Sequence, residues 1–460
     1  MSHTQSESHA QALSADLQGR VVASGDDDWD LARQAFNLAL DQRPSLVAFP
    51  ADARDIAHAV RVAAQRGLRV AAQRTGHNAG PLGALDGTVL LNTSALDDVE
   101  IDAGARRARV GSGACWADVV PAASEHGLAA LHGSAPGVGI AGYTLGGGVG
   151  WYARKHGIAT NRVTAIELVT ADGALVRTDA DHEPDLFWAL RGGGGGFGIV
   201  TALEFELLPI PEVYAGVLFF PLERAGEVLH AWREWTASVP EEVTSVGRVM
   251  QFPPLPEVPE PMRGNAFAII EAVCLTDEAA GAELLAPLRA LGPTMDTFAM
   301  MPPAEIAELH MDPPEPVPYR GQHQLLGELP AQAIDDLLAV AGPGSGSPLL
   351  SVELRHLGGA VARRQEHHGA LAAIDAPFME FAVGMAMDPA GTTAVEAALE
   401  AVGGSLAPYD AGTRYLNFHE DCTDAGTFFD AETCARLRAV KAAVDPAGTI
   451  RANHELVPAG

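Results

Sequence analysis

The sequence predicts an α+β chain in two parts: a two-lobed α/β part, then an antiparallel sheet backed by helices. Three observations predict it. Short apolar strands alternate with a helix-spaced segment over 45–96, a second such block runs over 108–210, and beyond Pro211 the strand candidates lengthen and are separated by helices. A chain of 460 residues also exceeds what one hydrophobic core supports, so more than one domain is expected.

In the first lobe, 46–49, 68–72 and 89–91 read as strands. The segment 53–65 reads as a helix because Ile56, Val60 and Ala63 recur at helical spacing, which makes a βαβ unit. The second lobe carries a helix near 115–126, a hairpin in which Ala171-Asp172-Gly173 turns between 166–169 and 174–177, and a strand over 199–207. The later sheet is expected from strands at 214–220, 244–252, 266–274, 349–357 and 379–387. Proline-rich runs at 253–261 and 313–318 cannot keep a ladder of N–H donors, so they are expected as surface loops at the sheet edge, rimming the substrate entrance. A short helix within 438–458, followed by Asp445-Pro446-Ala447-Gly448, closes the chain.

Composition narrows the partners. With 47% apolar and 19% charged residues the chain is globular material, and no apolar run is long enough to cross a bilayer. Thirty basic against fifty-nine acidic residues give a formal charge of −29, which repels nucleic-acid phosphates and anionic lipid, so neither nucleic acid nor membrane is an expected partner. The first ten residues carry no basic start and no apolar segment of a signal peptide, and the expected location is the cytoplasm. Cys115, Cys274, Cys422 and Cys434 show no C-x-x-C spacing, which implies free thiols and no metal site.

Two stretches carry the chemistry. Gln73-Arg74-Thr75-Gly76-His77-Asn78 ends an apolar strand in a turn whose small residues leave N–H groups free to face a pyrophosphate, with an imidazole at its end. The segment from Leu131 through Gly133, Ser134, Ala135, Val138 and Gly139 to Gly142 is a loop against which a flat aromatic ring can lie, since its glycines put no side chain in the way. Together they read as a flavin site. Gly193, Gly195 and Gly198 satisfy G-x-G-x-x-G, but they follow a helix and feed a strand, the reverse of a dinucleotide fingerprint, so no nicotinamide site is expected.

On these residues the chain resembles the FAD-linked oxidases related to berberine bridge enzyme and 6-hydroxynicotine oxidase. Further blocks match in order: Gly146-Gly147-Gly148-Val149-Gly150, Lys155-His156-Gly157-Ile158-Ala159, Asp185-Leu186-Phe187-Trp188-Ala189-Leu190-Arg191 and Phe197-Gly198-Ile199-Val200-Thr201. The resemblance implies a PCMH-type FAD-binding domain over 40–210 after a lead-in at 1–39. It also implies a substrate domain over 211–412 and a berberine-bridge-like segment over 413–460 that returns to the FAD domain. It implies FAD bound covalently through His77, whose counterpart in an R-G-G-G-H or R-S-G-G-H loop is often bonded to the flavin 8α-methyl. The family's second anchor, a cysteine, is replaced here by Ala135, leaving His77 alone. Gly196 stands where the family has asparagine, and Arg74-Thr75 where it prefers glycines.

Hydride transfer to a flavin needs a substrate C–H held over the ring and a group to manage an adjacent proton. Alternation along 351–355 places Ser351, Glu353 and Arg355 on one strand face. Glu353 is the candidate base or anchor, expected with a raised pKa that Arg355 counters; the plain alternative is a solvent-facing row on an edge strand. Tyr415 and Asn417 resemble the family's Y-x-N-Y element, whose last tyrosine is Phe418 here, and Asn453 matches a C-terminal asparagine near the flavin. Tyr143 flanks the glycine loop and is placed with Gly147, Gly148, Val149, Ile199 and Val200 in the cofactor set, while His132 is read as structural. The resulting expectation is an oxidase that passes a hydride from a small organic molecule to FAD and is reoxidised by molecular oxygen, consistent with valine at Val138, the family's oxygen-gating position. The alternative is a flavin-fold binding or rearrangement protein without net redox turnover.

Overall fold

The computed structural model describes residues 3–256 and 258–455. The first lobe is a four-stranded sheet of β1 (Arg20–Val22), β2 (Leu46–Phe49), β3 (Arg69–Gln73) and β4 (Thr88–Asn92) in the order β1-β2-β4-β3. Strands β2 and β3 both run parallel to β4, with Val47 and Ala71 each opposite Leu90, so the helix Ala53–Gln65 is the right crossover for the predicted βαβ unit. Asp52 caps that helix by accepting from the N–H groups of Arg54 and Asp55. Buried Asp55 in turn accepts from Gln18, Gly19 and Ala51, tying the lead-in to the lobe.

The second lobe is a five-stranded antiparallel sheet of β5 (Val99–Asp102), β6 (Arg107–Gly111), β7 (Val163–Val169), β8 (Leu175–Thr178) and β9 (Ile199–Glu206), ordered β5-β6-β9-β7-β8. Ile199 packs into the first lobe's core and its neighbour Val200 into the second's, so β9 joins the two. The glycines at 192–196 do follow a helix, Pro184–Leu190, and lead into β9.

The third sheet has eight strands: β10 (Val213–Pro221), β11 (Val243–Gln251), β12 (Ala266–Cys274), β13 (Met295–Asp296), β14 (Ala299–Met301), β15 (Tyr319–Leu326), β16 (Ser351–His356) and β17 (Phe378–Met385). They are antiparallel in the order β13-β10-β12-β11-β16-β17-β15, with β14 also on β10. Helices at Ala225–Thr236, Ala331–Ala341 and Pro389–Leu406 cover one face through a core that includes Trp232, Leu337 and Val402. The opposite face sets Val217, Phe219 and Ile269 against Leu131, Trp151 and Tyr152 of the preceding lobes. This second face carries the candidate site.

Of the differences from expectation, two bear on the site. Strand β15 was not predicted, because Arg320, Gln322 and Gln324 interrupt the apolar alternation that marks a strand. The C-terminal helix spans Ala431–Val444 and starts earlier than 438, where Asp430 caps it by accepting from Thr433. From its last turn Lys441 donates to the Gly196 (2.6 Å) and Ile450 (2.8 Å) carbonyls, and Val70 N–H donates to the Thr449 carbonyl, so the segment after the helix lies against the first lobe. No helix among the described residues is long and apolar enough to cross a membrane.

Candidate active site

The turn after β3 is held from several sides. Gln73 Nε2 donates to the Gln34 carbonyl and Arg74 Nε to Gly113, so the side chains before the turn point away from it. Gly76 takes φ +74°, a left-handed conformation that favours glycine, and the N–H groups of Thr75, Gly76, His77 and Asn78 donate to no protein acceptor among the described residues. The His77 ring stacks on Phe36 with centroids 3.8 Å apart, its Nδ1 lies 2.8 Å from Thr75 Oγ1, and Tyr319 donates to its carbonyl at 2.8 Å. Burial pulls the His77 pKa down to about 4, so the imidazole is neutral at ordinary pH. Asn78 donates to the Leu416 carbonyl at 2.9 Å, and Asn453 donates to the Asn78 carbonyl, joining three distant segments at the turn.

Across from this turn lies the glycine loop. Gly137 and Gly142 are exposed, and a Cβ at either would meet nothing within 4 Å, whereas one at Gly139 would press on Arg74. Tyr143 fills the space beneath: Cβ atoms at Gly133 and Gly148 would both strike its ring, and its hydroxyl donates to Leu131 at 3.2 Å. Tyr415 is buried and its oxygen accepts from Gly148 N–H (2.8 Å), Val149 N–H (3.2 Å) and Asn417 Nδ2 (3.0 Å). Its hydroxyl therefore shapes the 147–149 turn, and burial raises its pKa. Val149 is buried in the lobe core, and Asn417 also donates to the Tyr143 carbonyl at 2.9 Å.

On the sheet, Glu353 sits in β16, between β11 and β17 rather than at an edge, directly opposite Arg248 and Phe381. Its Oε1 meets Arg355 Nε at 2.7 Å and its Oε2 meets His310 Nε2 at 2.8 Å. His310 continues through Nδ1 to Glu271 at 2.6 Å, and Glu271 to Arg248 at 2.5 Å. The expected raised pKa of Glu353 is corrected: burial does push it up, but Arg355 and His310 outweigh burial and hold the carboxyl well below the usual carboxylate range. Burial likewise opposes the charge on His310, yet Glu271 and Glu353 raise its pKa to about 9. Arg355 lies over the Phe418 ring at 5.0 Å and reaches Ser134 Oγ of the glycine loop at 3.4 Å, where Ser134 faces Asp312. Ser351, Glu353 and Arg355 thus share the face turned to the first two lobes. The sequence reading missed His310 and Asp312, whose only signal was their place beside the proline run at 313–318.

A family model for an FAD-binding domain matches residues 44–179. The chain is 37% identical over 195 residues to (R)-6-hydroxynicotine oxidase of Paenarthrobacter nicotinovorans, covering 42% of this chain and 43% of that protein. It is 32% identical over 264 residues to a xylooligosaccharide oxidase of Thermothelomyces thermophilus, covering 55% and 52%. These alignments span about half the length of the curated relatives. Over almost the whole chain, the fold matches the crystal structure of 6-hydroxy-D-nicotine oxidase from Arthrobacter nicotinovorans with a TM-score of 0.82 and 26% identity, covering 96% of this chain and 99% of that one. Residues 44–179 thus match an FAD-binding domain, and the chain is similar in sequence and in fold to FAD-linked oxidases.

The residues present fit the FAD that the matched domain binds. The four N–H groups of 75–78, unpartnered among the described residues and turned by the left-handed Gly76, suit a pyrophosphate, and the open faces of Gly137 and Gly142 suit a planar ring. His77, Asn78, Tyr143, Tyr415, Asn417 and Asn453 are cross-linked by hydrogen bonds or shared packing around the two loops. The side chains of Ile199 and Val200 instead pack between the lobes.

Proposed function

We propose that this protein is an FAD-dependent oxidoreductase of the oxidase type, acting on a small organic substrate with molecular oxygen as electron acceptor. When bound, FAD supplies the hydride acceptor and the path of electrons to oxygen, and attachment through His77 raises its potential. The N–H groups of 75–78 hold the pyrophosphate, and the 133–142 loop carries the ring. Glu353 stays ionised and doubly paired, so it serves as an anchor that aims Arg355 toward the glycine loop and the substrate above it. The relatives named for 6-hydroxynicotine and for a xylooligosaccharide have dissimilar substrates, which leaves the substrate class to the pocket of this chain.

The observation that carries this reading is the row of N–H groups, free of acceptors among the described residues, ending on a neutral imidazole, opposite a loop where Gly137 and Gly142 open onto space. The test is acid precipitation of the flavin-replete protein. Flavin should remain on the wild type and be released from His77→Ala; complete release from the wild type would contradict covalent attachment while leaving FAD binding intact.

A further inference from the structure

The oxidase reading, on which this inference rests, needs a substrate held beside the glycine loop, and the buried charges facing that loop do not balance. His310 lies 2.6 Å from Glu271 through Nδ1 and 2.8 Å from Glu353 through Nε2. An ionised carboxylate only accepts, so both ring nitrogens carry protons and the imidazole is a cation, in line with its raised pKa. Glu271 and Glu353 thus face three cations, Arg248, His310 and Arg355, and one positive charge is left over. Asp312 does not take it up: it accepts from Ser134 at 3.4 Å and makes no ion pair with Arg355 among the described residues.

The surplus charge has one outlet. The side chains of Arg248, Glu271, His310 and Glu353 are at most 3% exposed, whereas Arg355 keeps 12% open. Its Nε donates to Glu353 and its Nη2 lies against Ser134 and His310, while Nη1 meets no acceptor among the described residues. A guanidinium with a free N–H edge is built to take a carboxylate. Beside it stands an aromatic shelf. Phe418 lies under the guanidinium at 5.0 Å, and Phe381 meets Phe418 edge to face with centroids 5.1 Å apart. Phe381 is directly opposite Glu353 and therefore on the same sheet face, followed there by Val383 and Met385; these three are half-buried, while Ala382 and Gly384 between them are buried. We propose that the substrate is an aromatic carboxylate, whose acid group pairs with Arg355 and whose ring lies on the shelf of Phe381 and Phe418. One fixed charge beside an apolar wall suits such a molecule better than a sugar, whose many hydroxyls call for many polar partners.

The test is calorimetric titration of the flavin-replete protein with benzoate, its neutral isostere benzamide, and cyclohexanecarboxylate. Benzoate should bind the wild type about tenfold to a hundredfold more tightly than benzamide, the scale of a hydrogen bond to a charged group. It should bind about threefold more tightly than cyclohexanecarboxylate, the scale of an aromatic contact. Arg355→Gln should bring benzoate down to the affinity of benzamide. Asp312→Asn removes a nearby carboxylate and leaves the buried pairs intact, so it should tighten benzoate about threefold without changing benzamide; it decides the matter if Arg355→Gln does not fold. Equal affinities for benzoate and benzamide, no benzoate binding at millimolar concentration, or an Asp312→Asn protein that binds benzoate no more tightly overturns the inference, and equal affinities for benzoate and cyclohexanecarboxylate overturn its aromatic half. Each of these leaves the oxidase reading standing where the flavin is still bleached by a substrate and restored by air. A protein that takes up no flavin overturns both.

Discussion

Glu353 is 1% exposed and shares its two oxygens between Arg355 and His310, so its charge is what keeps those cations together inside the sheet. Glu353→Gln removes that charge. Leaving buried cations unmatched costs about 3–5 kcal/mol, and a misaimed Arg355 should slow anaerobic flavin reduction by about a hundredfold, the scale of losing a productive orientation. Stopped-flow reduction by a substrate measures it, and an unchanged rate would remove Glu353 from the site. The alternation of Ser351, Glu353 and Arg355 was legible in the sequence, because a strand puts every second residue on one face. Arg248, Glu271, His310 and Asp312 were not. They join Glu353 through the pairing register of β11 with β12 and β16 and through a loop far along the chain, none of which is encoded in local spacing.

Among elements, the 133–142 loop is the one proposed to carry the flavin ring. Val138 in it packs against the core of the second lobe, and its carbonyl accepts from Trp116 N–H at 3.2 Å, which fixes where its side chain stands. A short β-branched side chain leaves room beside a reduced ring that leucine would fill. Val138→Leu should therefore slow reoxidation in air-saturated buffer by about tenfold, roughly what blocking a void with one methylene costs, while leaving reduction unchanged. Equal reoxidation rates would show that oxygen arrives by another path. At this scale the helix Ala53–Gln65 and strand β12 were read with their observed bounds, the helix because Ile56, Val60 and Ala63 recur at helical spacing and the strand because it is a long, mostly apolar run. Strand β15 was invisible because its polar side chains serve the junction: Gln324 bonds Gly403, His323 accepts from Tyr415 N–H, and Tyr319 reaches His77.

The whole molecule is two FAD-binding lobes and a sheet closed over them, with neutral histidines buried along the contact. His132 and His454 are lowered to about 4 and His356 to about 3 by burial, and His323 is lowered well below its usual value. Groups with a folded pKa below the unfolded value bind fewer protons when folded, so each costs stability as pH falls from about 6.5 toward about 4, at ~1.4 kcal/mol per pH unit. His310, raised to about 9, and Glu420, raised to about 7 by burial, act oppositely: their stabilisation is lost as pH rises toward those values. Stability should peak near pH 6.5, with a steeper fall on the acid side, and the denaturant midpoint against pH checks it; a plateau down to pH 4 would mean these histidines are not buried neutral. The two-part architecture was legible from the change in pattern at Pro211, but the face the sheet turns to the lobes depends on packing between residues such as Phe219 and Trp151 that no local pattern pairs. The central claim is a flavin held between the two loops and cycled between substrate and oxygen. Its most direct measurement is the visible spectrum of the flavin-replete protein, taken anaerobically with a candidate substrate panel and then in air. One flavin per chain, bleached by a substrate and restored by oxygen with peroxide released, is the predicted result; a chain that excludes FAD and stays colourless would contradict the account.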